Sequence, residues 1–249
     1  MLVLGAAQAR IVDLGQGATA PNPTWQNTNP RQPPSPERNN ANAVLLPDGT
    51  LIVVGGSRND NITEDGVSPV LAAERYDPAS GQWSTLAEAC VPRGYHSVAL
   101  LLPDGRVWTA GSDKNGNRGQ AARELRIELF EPWYYSTDRP QITYAPNAVT
   151  YCQHFTVCTT QACAITRVAL IRTGSVTHAF NADQRYVGLR FCRARRDRVE
   201  VEAPPNSALA VPGYYLLFVI NGDNIPSVGK FIKVGPTCVS GNMCVGKRG

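Results

Sequence analysis

Short apolar runs alternate with turn residues through the first half of the chain. Ala43–Gly56 matches Ala99–Ser112 position by position, with an apolar stretch, a Pro-Asp-Gly turn, and a second apolar stretch ending at two small residues. Glycine supplies the positive φ that such a turn needs, so each copy predicts a β-hairpin. Leu2–Gly5 repeats the end of the pattern. The spacing of about 50 residues is typical of a repeat architecture.

Further strands follow each hairpin pattern. Third strands are predicted at Arg10–Leu14, Ala73–Pro78 and Leu125–Pro132, and Ala79–Trp83 turns into an outer strand closed by tryptophan. Four short antiparallel strands with Gly-Gly and a Tyr…Trp pair indicate a kelch-type propeller blade. Residues 1–137 are therefore predicted to form a partial kelch-type β-propeller of two to three blades, with Pro21–Arg38 as an extended connection.

The blade pattern stops near Asp138, and the strands beyond it alternate apolar and polar positions at sandwich spacing. They are predicted at Phe155–Cys158, Val168–Arg172, Val199–Glu202, Tyr214–Ile220 and Lys230–Val234. Residues 138–236 are predicted to form an immunoglobulin-like β-sandwich, and 237–249 a tail. The predicted fold class is all-β.

Composition excludes some partners. The chain has 249 residues and a net charge of +4, and no window approaches the apolar length of a membrane span. The start, Met1–Ala9, lacks the basic segment of a signal peptide and is better explained as a strand.

The basic run Arg190–Arg198 raises the possibility that the chain binds nucleic acid or an acidic polysaccharide. Because it is short and bounded by strand patterns, a solvated hairpin is favoured and no nucleic-acid partner is expected.

Seven cysteines are more than a cytosolic domain of this size usually keeps. Cys158 with Cys163, or Cys238 with Cys244, are close enough in sequence to close small disulfide loops. The count favours an oxidising compartment, and hence a secreted or extracytoplasmic protein. A zinc site is disfavoured because no Cys-x-x-Cys pair occurs, and His154 is expected on a strand surface.

Candidate chemistry lies in the dipeptide Tyr95-His96, which precedes an apolar strand. A phenol oxygen and an imidazole nitrogen together suit Cu(II). The chain contains only three histidines. An ordinary role for both residues at the end of a strand is the alternative.

Three segments, in order, resemble the galactose oxidase and glyoxal oxidase family of copper radical oxidases. Arg93–Gly105 is similar to the family's copper-site segment, and Val168–Arg185 to the loop that carries a second histidine ligand. Val211–Asn221 resembles the penultimate strand of the C-terminal domain, and Pro226–Val228 opens the last one. The resemblance implies a propeller followed by an immunoglobulin-like domain of the early set.

The resemblance also implies a Cu(II) site. Tyr95 corresponds to the axial tyrosine, a metal ligand that also takes the substrate's hydroxyl proton, and His96 and His178 correspond to the two imidazole ligands. The implied reaction is oxidation of a small aldehyde or primary alcohol by O2, which gives H2O2. The alternative for His178 is an ordinary loop histidine.

In this family the second electron vacancy is held by a tyrosine cross-linked to cysteine, in earlier blades than those found here. Those blades are expected upstream, and the chain by itself is expected to be inactive. Cys90 lies near Tyr95 but is expected to be buried or disulfide-bonded rather than the cross-linked cysteine.

Two further expectations concern specificity. Ser57–Val70 corresponds to a loop at the family's substrate mouth, where Thr63 stands in place of the aromatic residue of galactose-oxidising members. This favours a small aldehyde such as glyoxal. The alternative function is a non-catalytic propeller and sandwich protein that binds glycan or protein.

Overall fold

A computed structural model describes residues 2–4, 9–12, 24–31, 38–58, 69–112 and 124–236. These residues form strands and turns, with one short 3-10 helix at Ala162–Ala164 and no α-helix among them. The all-β prediction is confirmed. Within the described ranges, no helix has the length and apolar character needed to cross a membrane.

The described residues of the first half form three antiparallel sheets. Their strands are β1 (Leu2–Leu4), β2 (Ala9–Val12), β3 (Trp25–Asn27), β4 (Asn42–Leu45), β5 (Leu51–Val54), β6 (Ala72–Asp77), β7 (Gln82–Glu88), β8 (Val98–Leu101), β9 (Val107–Ala110) and β10 (Glu128–Phe130). The sheet orders are β1-β2-β3, β4-β5-β6-β7 and β10-β9-β8. The predicted glycine turns are confirmed, because Gly49 and Gly105 have φ of +88° and +87°.

The second half is a sandwich of two larger sheets plus a small hairpin. Its strands are β11 (Ile142–Tyr144), β12 (Ala148–Val149), β13 (His154–Thr159), β14 (Ile165–Arg172), β15 (Val176–Thr177), β16 (Phe180–Asn181), β17 (Tyr186–Leu189), β18 (Phe191–Arg195), β19 (Arg198–Glu202), β20 (Gly213–Asn221) and β21 (Lys230–Val234). One sheet has the order β11-β13-β19-β18 and the other β12-β21-β20-β14-β17, while β15 pairs with β16.

Strand β20 is apolar on both faces. Tyr215, Leu217 and Val219 belong to the sandwich core, which lies between the two sheets. Leu216, Phe218 and Ile220 form a second cluster that Leu101 of β8 packs against. Because side chains alternate along a strand, the second face of β20 is covered by the first half of the chain.

Both Pro-Asp-Gly turns contact the sandwich. Arg167 donates from Nη1 to the carbonyl of Asp48 at 2.7 Å, and the amide of Gly229 donates to the carbonyl of Pro103 at 2.7 Å. Arg139 donates to the carbonyls of Asp104, Pro226 and Ser227, at 2.6, 2.8 and 2.7 Å. Burial lowers the pKa of Arg139. The turns that close the blade hairpins therefore also position the sandwich.

A buried ion pair joins the segment before β4 to β6 of the four-stranded sheet. Arg38 Nη1 contacts Glu74 Oε2 at 2.8 Å, and both side chains are almost fully buried. Arg31 lies 3.9 Å from the same oxygen. Burial raises the pKa of Glu74 and lowers that of Arg38 to about 10. Such a pair is costly to break on one side, because an uncompensated buried charge remains.

Several local expectations differ from the structure. Trp83 lies near the start of β7 rather than at its end, and β10 is shorter than the predicted Leu125–Pro132. Cys90, Cys152, Cys158, Cys163 and Cys192 are free thiols. The disulfide considered between Cys158 and Cys163 is therefore not formed in this structure, where Cys158 lies in β13 and Cys163 on the 3-10 helix. Cys238 and Cys244 lie outside the described residues.

Candidate metal centre

A tight turn presents Tyr95 and His96 just before β8. The amide of Ser97 donates to the carbonyl of Gly94 at 3.1 Å, which places the two residues at the centre of the turn. His96 has φ of +60°, in the left-handed region. A residue with a side chain pays about 1–2 kcal/mol there. Strain of this kind is found at functional sites more often than elsewhere, where the surrounding structure enforces it.

Polar contacts from two neighbouring sheets hold this turn. Arg93, which is buried, donates to the carbonyl of Gly111 at 3.0 Å and to Glu128 at 3.2 Å. The amide of Gly94 donates to Ser112 Oγ at 2.9 Å. These partners follow β9 or lie in β10, so that sheet fixes one side of the turn.

The four-stranded sheet fixes the other side. The amide of Gly56 donates to the carbonyl of Arg93 at 2.5 Å, and Asn42 Nδ2 donates to Ser97 Oγ at 2.9 Å. A Cβ atom on Gly55 would lie 2.4 Å from that same carbonyl oxygen of Arg93, and one on Gly111 would lie 3.0 Å from the carbonyl oxygen of His96. The small-residue pairs that end both hairpins therefore let two backbones approach the turn.

His178 lies at the tip of the hairpin β15–β16. His178 and Ala179 form its two-residue loop, and their φ values are +52° and +58°. Loops with positive φ at both positions favour Asn-Gly, so this sequence is strained. β15 lies beside β8, and β16 beside β4. The hairpin therefore carries His178 from the sandwich to the two blade sheets.

The three predicted side chains meet at one place. The ring centroids of Tyr95 and His96 are 3.9 Å apart, and those of His96 and His178 are 4.8 Å apart. The centroids of Tyr95 and His178 are 5.7 Å apart. Tyr95 is half-buried, whereas both histidines are exposed. Their role as metal ligands stays a prediction.

The donor set is one phenol and two imidazoles. Thr177 Oγ1 lies 2.6 Å from His178 Nδ1, which directs the other ring nitrogen, Nε2, away from that contact. In a metal-binding histidine, a hydrogen bond to the ring nitrogen that does not bind the metal fixes the tautomer and the orientation of the ring. Nitrogen and oxygen donors in this combination fit Cu(II). Among the described residues, no group of three His, Cys, Asp or Glu is arranged to hold a metal.

Other predicted features lie away from these rings. His154 is exposed at the start of β13, as expected, and borders a cavity of about 430 Å³ that Cys152 and Glu202 also line. Cys90 is exposed and free, so the expectation of a buried or disulfide-bonded residue was wrong. Its backbone amide donates to Glu128 at 2.7 Å, in the exposed connection after β7. The substrate-mouth position Thr63 lies outside the described residues.

The residues that hold the Tyr95-His96 turn are not predicted by the sequence. Arg93 and Glu128 are separated by most of a blade, so their ion pair leaves no local signal. The small-residue pairs at Gly55 and Gly111 are visible in the repeat, where the pattern predicts only the end of a strand. Their recurrence next to the Tyr-His segment was the signal available.

Comparisons with known proteins identify the family. Residues 14–134 match the family described as glyoxal oxidase N-terminus, and 139–234 match the galactose oxidase-like early set domain. The structure also superposes on a fungal alcohol oxidase of the AA5 family, solved in complex with copper, with a TM-score of 0.81 and 29% identity. That match covers 93% of this chain and 48% of the other.

Curated relatives agree with these matches. Galactose oxidase from Gibberella zeae is 33% identical over 233 residues, covering 91% of this chain and 33% of the relative. Aldehyde oxidase GLOX from Vitis pseudoreticulata is 33% identical over 238 residues, covering 88% of this chain and 45% of the relative. The chain spans about a third to a half of the length of these relatives. It belongs to the galactose oxidase and glyoxal oxidase family.

Proposed function

We propose that this chain supplies Tyr95, His96 and His178 as ligands to the copper site of a copper radical oxidase. The observation that carries the proposal is the meeting of three rings from two regions of the chain, within 5.7 Å of one another. Two strained loops present the histidines. If both histidines were ordinary surface residues, there would be no reason for either loop to adopt a strained backbone conformation.

The proposed reaction oxidises a primary alcohol or small aldehyde with O2. Two electrons and two protons leave the alcohol, or the hydrate that an aldehyde forms with water, and reduce O2 to H2O2, so that atoms and electrons balance. Copper held by these residues would supply a one-electron acceptor and would polarise the substrate oxygen. The Tyr95 oxygen takes the hydroxyl proton of the substrate, and the imidazoles of His96 and His178 orient the reacting centre.

We assign no residue of this chain to the cross-linked tyrosine and cysteine of the family. We therefore propose that the chain by itself binds Cu(II) without sustained turnover. By the family resemblance, such a pair would lie in earlier blades of the propeller. A substrate of the small aldehyde class, a secreted location, and the domain division at 137/138 remain parts of this proposal. The ends of the two family matches, at 134 and 139, support that division.

Copper titration tests the proposal. The free thiols are first alkylated so that they do not bind or reduce copper. Calorimetry then compares the chain with its His96→Ala and His178→Ala variants. His154→Ala is the matched control, because His154 is exposed outside the site and completes the chain's three histidines.

We expect one Cu(II) per chain, at least about 10-fold weaker binding in the two site variants, and no change in the control. Binding that survives His178→Ala, or that His154→Ala removes, would contradict the site. A coupled peroxide assay with small aldehydes tests turnover. Sustained peroxide production by this chain alone would refute the proposal that it binds Cu(II) without turnover.

A further inference from the structure

The hairpin that carries His178 extends beyond the sandwich sheet. It leaves the sheet after β14 and returns at β17, where the amide of Arg172 donates to the carbonyl of Arg185 at 2.9 Å. The base of the β15–β16 hairpin is closed by the amide of Ser175, which donates to Asn181 Oδ1 at 2.9 Å. These bonds shape the hairpin itself. They do not determine where it lies relative to Tyr95 and His96.

Gln184 makes the polar contact that joins this hairpin to a blade. Its Oε1 accepts from the amide of Leu45 at 2.7 Å, and its Nε2 donates to the carbonyl of Ala43 at 2.6 Å. Both partners lie in β4, which is an edge strand and, among the described strands, pairs with β5 alone. Residues two apart in a strand direct their backbone groups to the same edge. The side-chain amide therefore makes hydrogen bonds to the backbone at the outer edge of β4, as a neighbouring strand would.

The chemistry of this contact requires an amide. One planar group must offer an acceptor to Leu45 and a donor to Ala43, and among side chains of this length glutamine carries both at neutral pH, where a glutamate is ionised. A glutamate would accept from Leu45 but leave the Ala43 carbonyl without its donor. The contact is partly buried, so water replaces either bond only in part.

Close packing at the base of the hairpin complements this contact. A Cβ atom on Gly174 would lie 2.8 Å from Leu100 Cδ2 in β8 and 2.7 Å from Asn181 Nδ2. Gly174 therefore brings the hairpin against β8, while Gln184 bonds it to β4. The turn with Tyr95 and His96 directly precedes β8, so both contacts set the distance between the histidines.

We propose that Gln184 is a positioning residue for the copper site, because its amide holds the His178 hairpin against the edge of β4. This inference rests on the proposed function. Gln184 contacts neither substrate nor metal in this account. It acts through the placement of His178, as outer-shell partners do when their replacement weakens metal affinity by about 10–100-fold.

The test replaces Gln184 with methionine, which keeps the length and removes both hydrogen bonds. Gln153→Met is the matched control, because Gln153 is an exposed glutamine that accepts from Thr150 within the sandwich. Four readouts are compared: the thermal midpoint, Cu(II) affinity after thiol alkylation, nitrogen hyperfine structure in the Cu(II) EPR spectrum, and amide hydrogen exchange of Leu45 and residues 174–184. The exchange measurement needs no metal.

We expect Gln184→Met to speed exchange at Leu45 and in 174–184, to weaken Cu(II) binding by about 10–100-fold, and to reduce the EPR pattern from two imidazoles to one. The control changes none of these. Unchanged exchange in Gln184→Met would overturn the inference whatever copper does. Faster exchange with unchanged copper affinity and EPR would also overturn it, provided that His178→Ala weakens binding.

Failure of the proposed function has a different outcome. If His178→Ala leaves the copper affinity of the chain unchanged, no copper site at His178 exists and the positioning role falls with it. The exchange data then still show whether the amide of Gln184 bonds β4. The two failures are therefore distinguishable.

Discussion

Replacing Gly55 by alanine tests whether the blade fixes the shape of the Tyr95-His96 turn. Gly55 has φ of +69°, and a Cβ atom there would lie 2.4 Å from the carbonyl oxygen of Arg93 and 2.7 Å from its Cβ. Real atoms do not approach so closely, so the segment at Arg93 must move. Because Tyr95 follows two residues later, the turn moves with it.

Gly81 provides the matched control. Its φ is +68°, but a Cβ atom there would lie 3.5 Å from Asn29 Nδ2, an ordinary contact. The left-handed conformation costs alanine about 1–2 kcal/mol, and the stiffer unfolded chain offsets about 0.4–1 kcal/mol. Gly81→Ala should therefore lower the free energy of unfolding by about 1 kcal/mol. Overlap adds about 1–3 kcal/mol, so Gly55→Ala should lower it by about 2–4 kcal/mol.

Urea denaturation of the two variants and the unsubstituted chain measures these differences. Cu(II) titration of the folded variants then shows whether the turn has moved, and only Gly55→Ala is expected to bind copper more weakly. Equal destabilisation by both variants, with equal copper affinity, would refute the reasoning. The close approach of Gly55 to Arg93 would then have no part in shaping the turn.

Two further predictions concern the buried ion pair and the thiols. Glu74→Gln leaves Arg38 buried without its carboxylate and should lower the free energy of unfolding by about 3–5 kcal/mol. Asp197→Asn, in the exposed pair with Arg198, should leave the free energy of unfolding nearly unchanged. Equal urea midpoints for the two variants would contradict this. Alkylation without denaturant should label the exposed Cys90, Cys152, Cys163 and Cys192, as read by peptide mass spectrometry. Protection of any pair until a reductant is added would reveal a disulfide instead.

The hairpins and sandwich strands could be predicted because their signals are local. In β4–β5 and β8–β9, apolar runs flank a Pro-Asp-Gly turn, and the structure has both hairpins with glycine at positive φ. Likewise, the basic run Arg190–Arg198 forms a hairpin of β18 and β19. A repeated turn sequence specifies its geometry wherever it occurs.

Contacts between distant segments could not be predicted in this way. The hydrogen bonds that Gln184 makes with Ala43 and Leu45 join residues that are 141 and 139 positions apart. The pairing of Arg38 with Glu74 depends on the burial of both side chains. The sequence does not show that these charged residues are buried. Cys90 was misjudged because cysteines are usually buried, whereas this one lies in an exposed connection held by its backbone. Only the assembled sheets bring such groups together.

The position of copper in crystals of the copper-loaded chain tests the central claim most directly. An anomalous difference map at the copper absorption edge locates the metal without assumptions about its ligands. We predict one peak within about 2–2.5 Å of a ring nitrogen of both His96 and His178, with the Tyr95 oxygen facing it. A peak beside Cys152 and His154, or no peak near His178, would contradict the account.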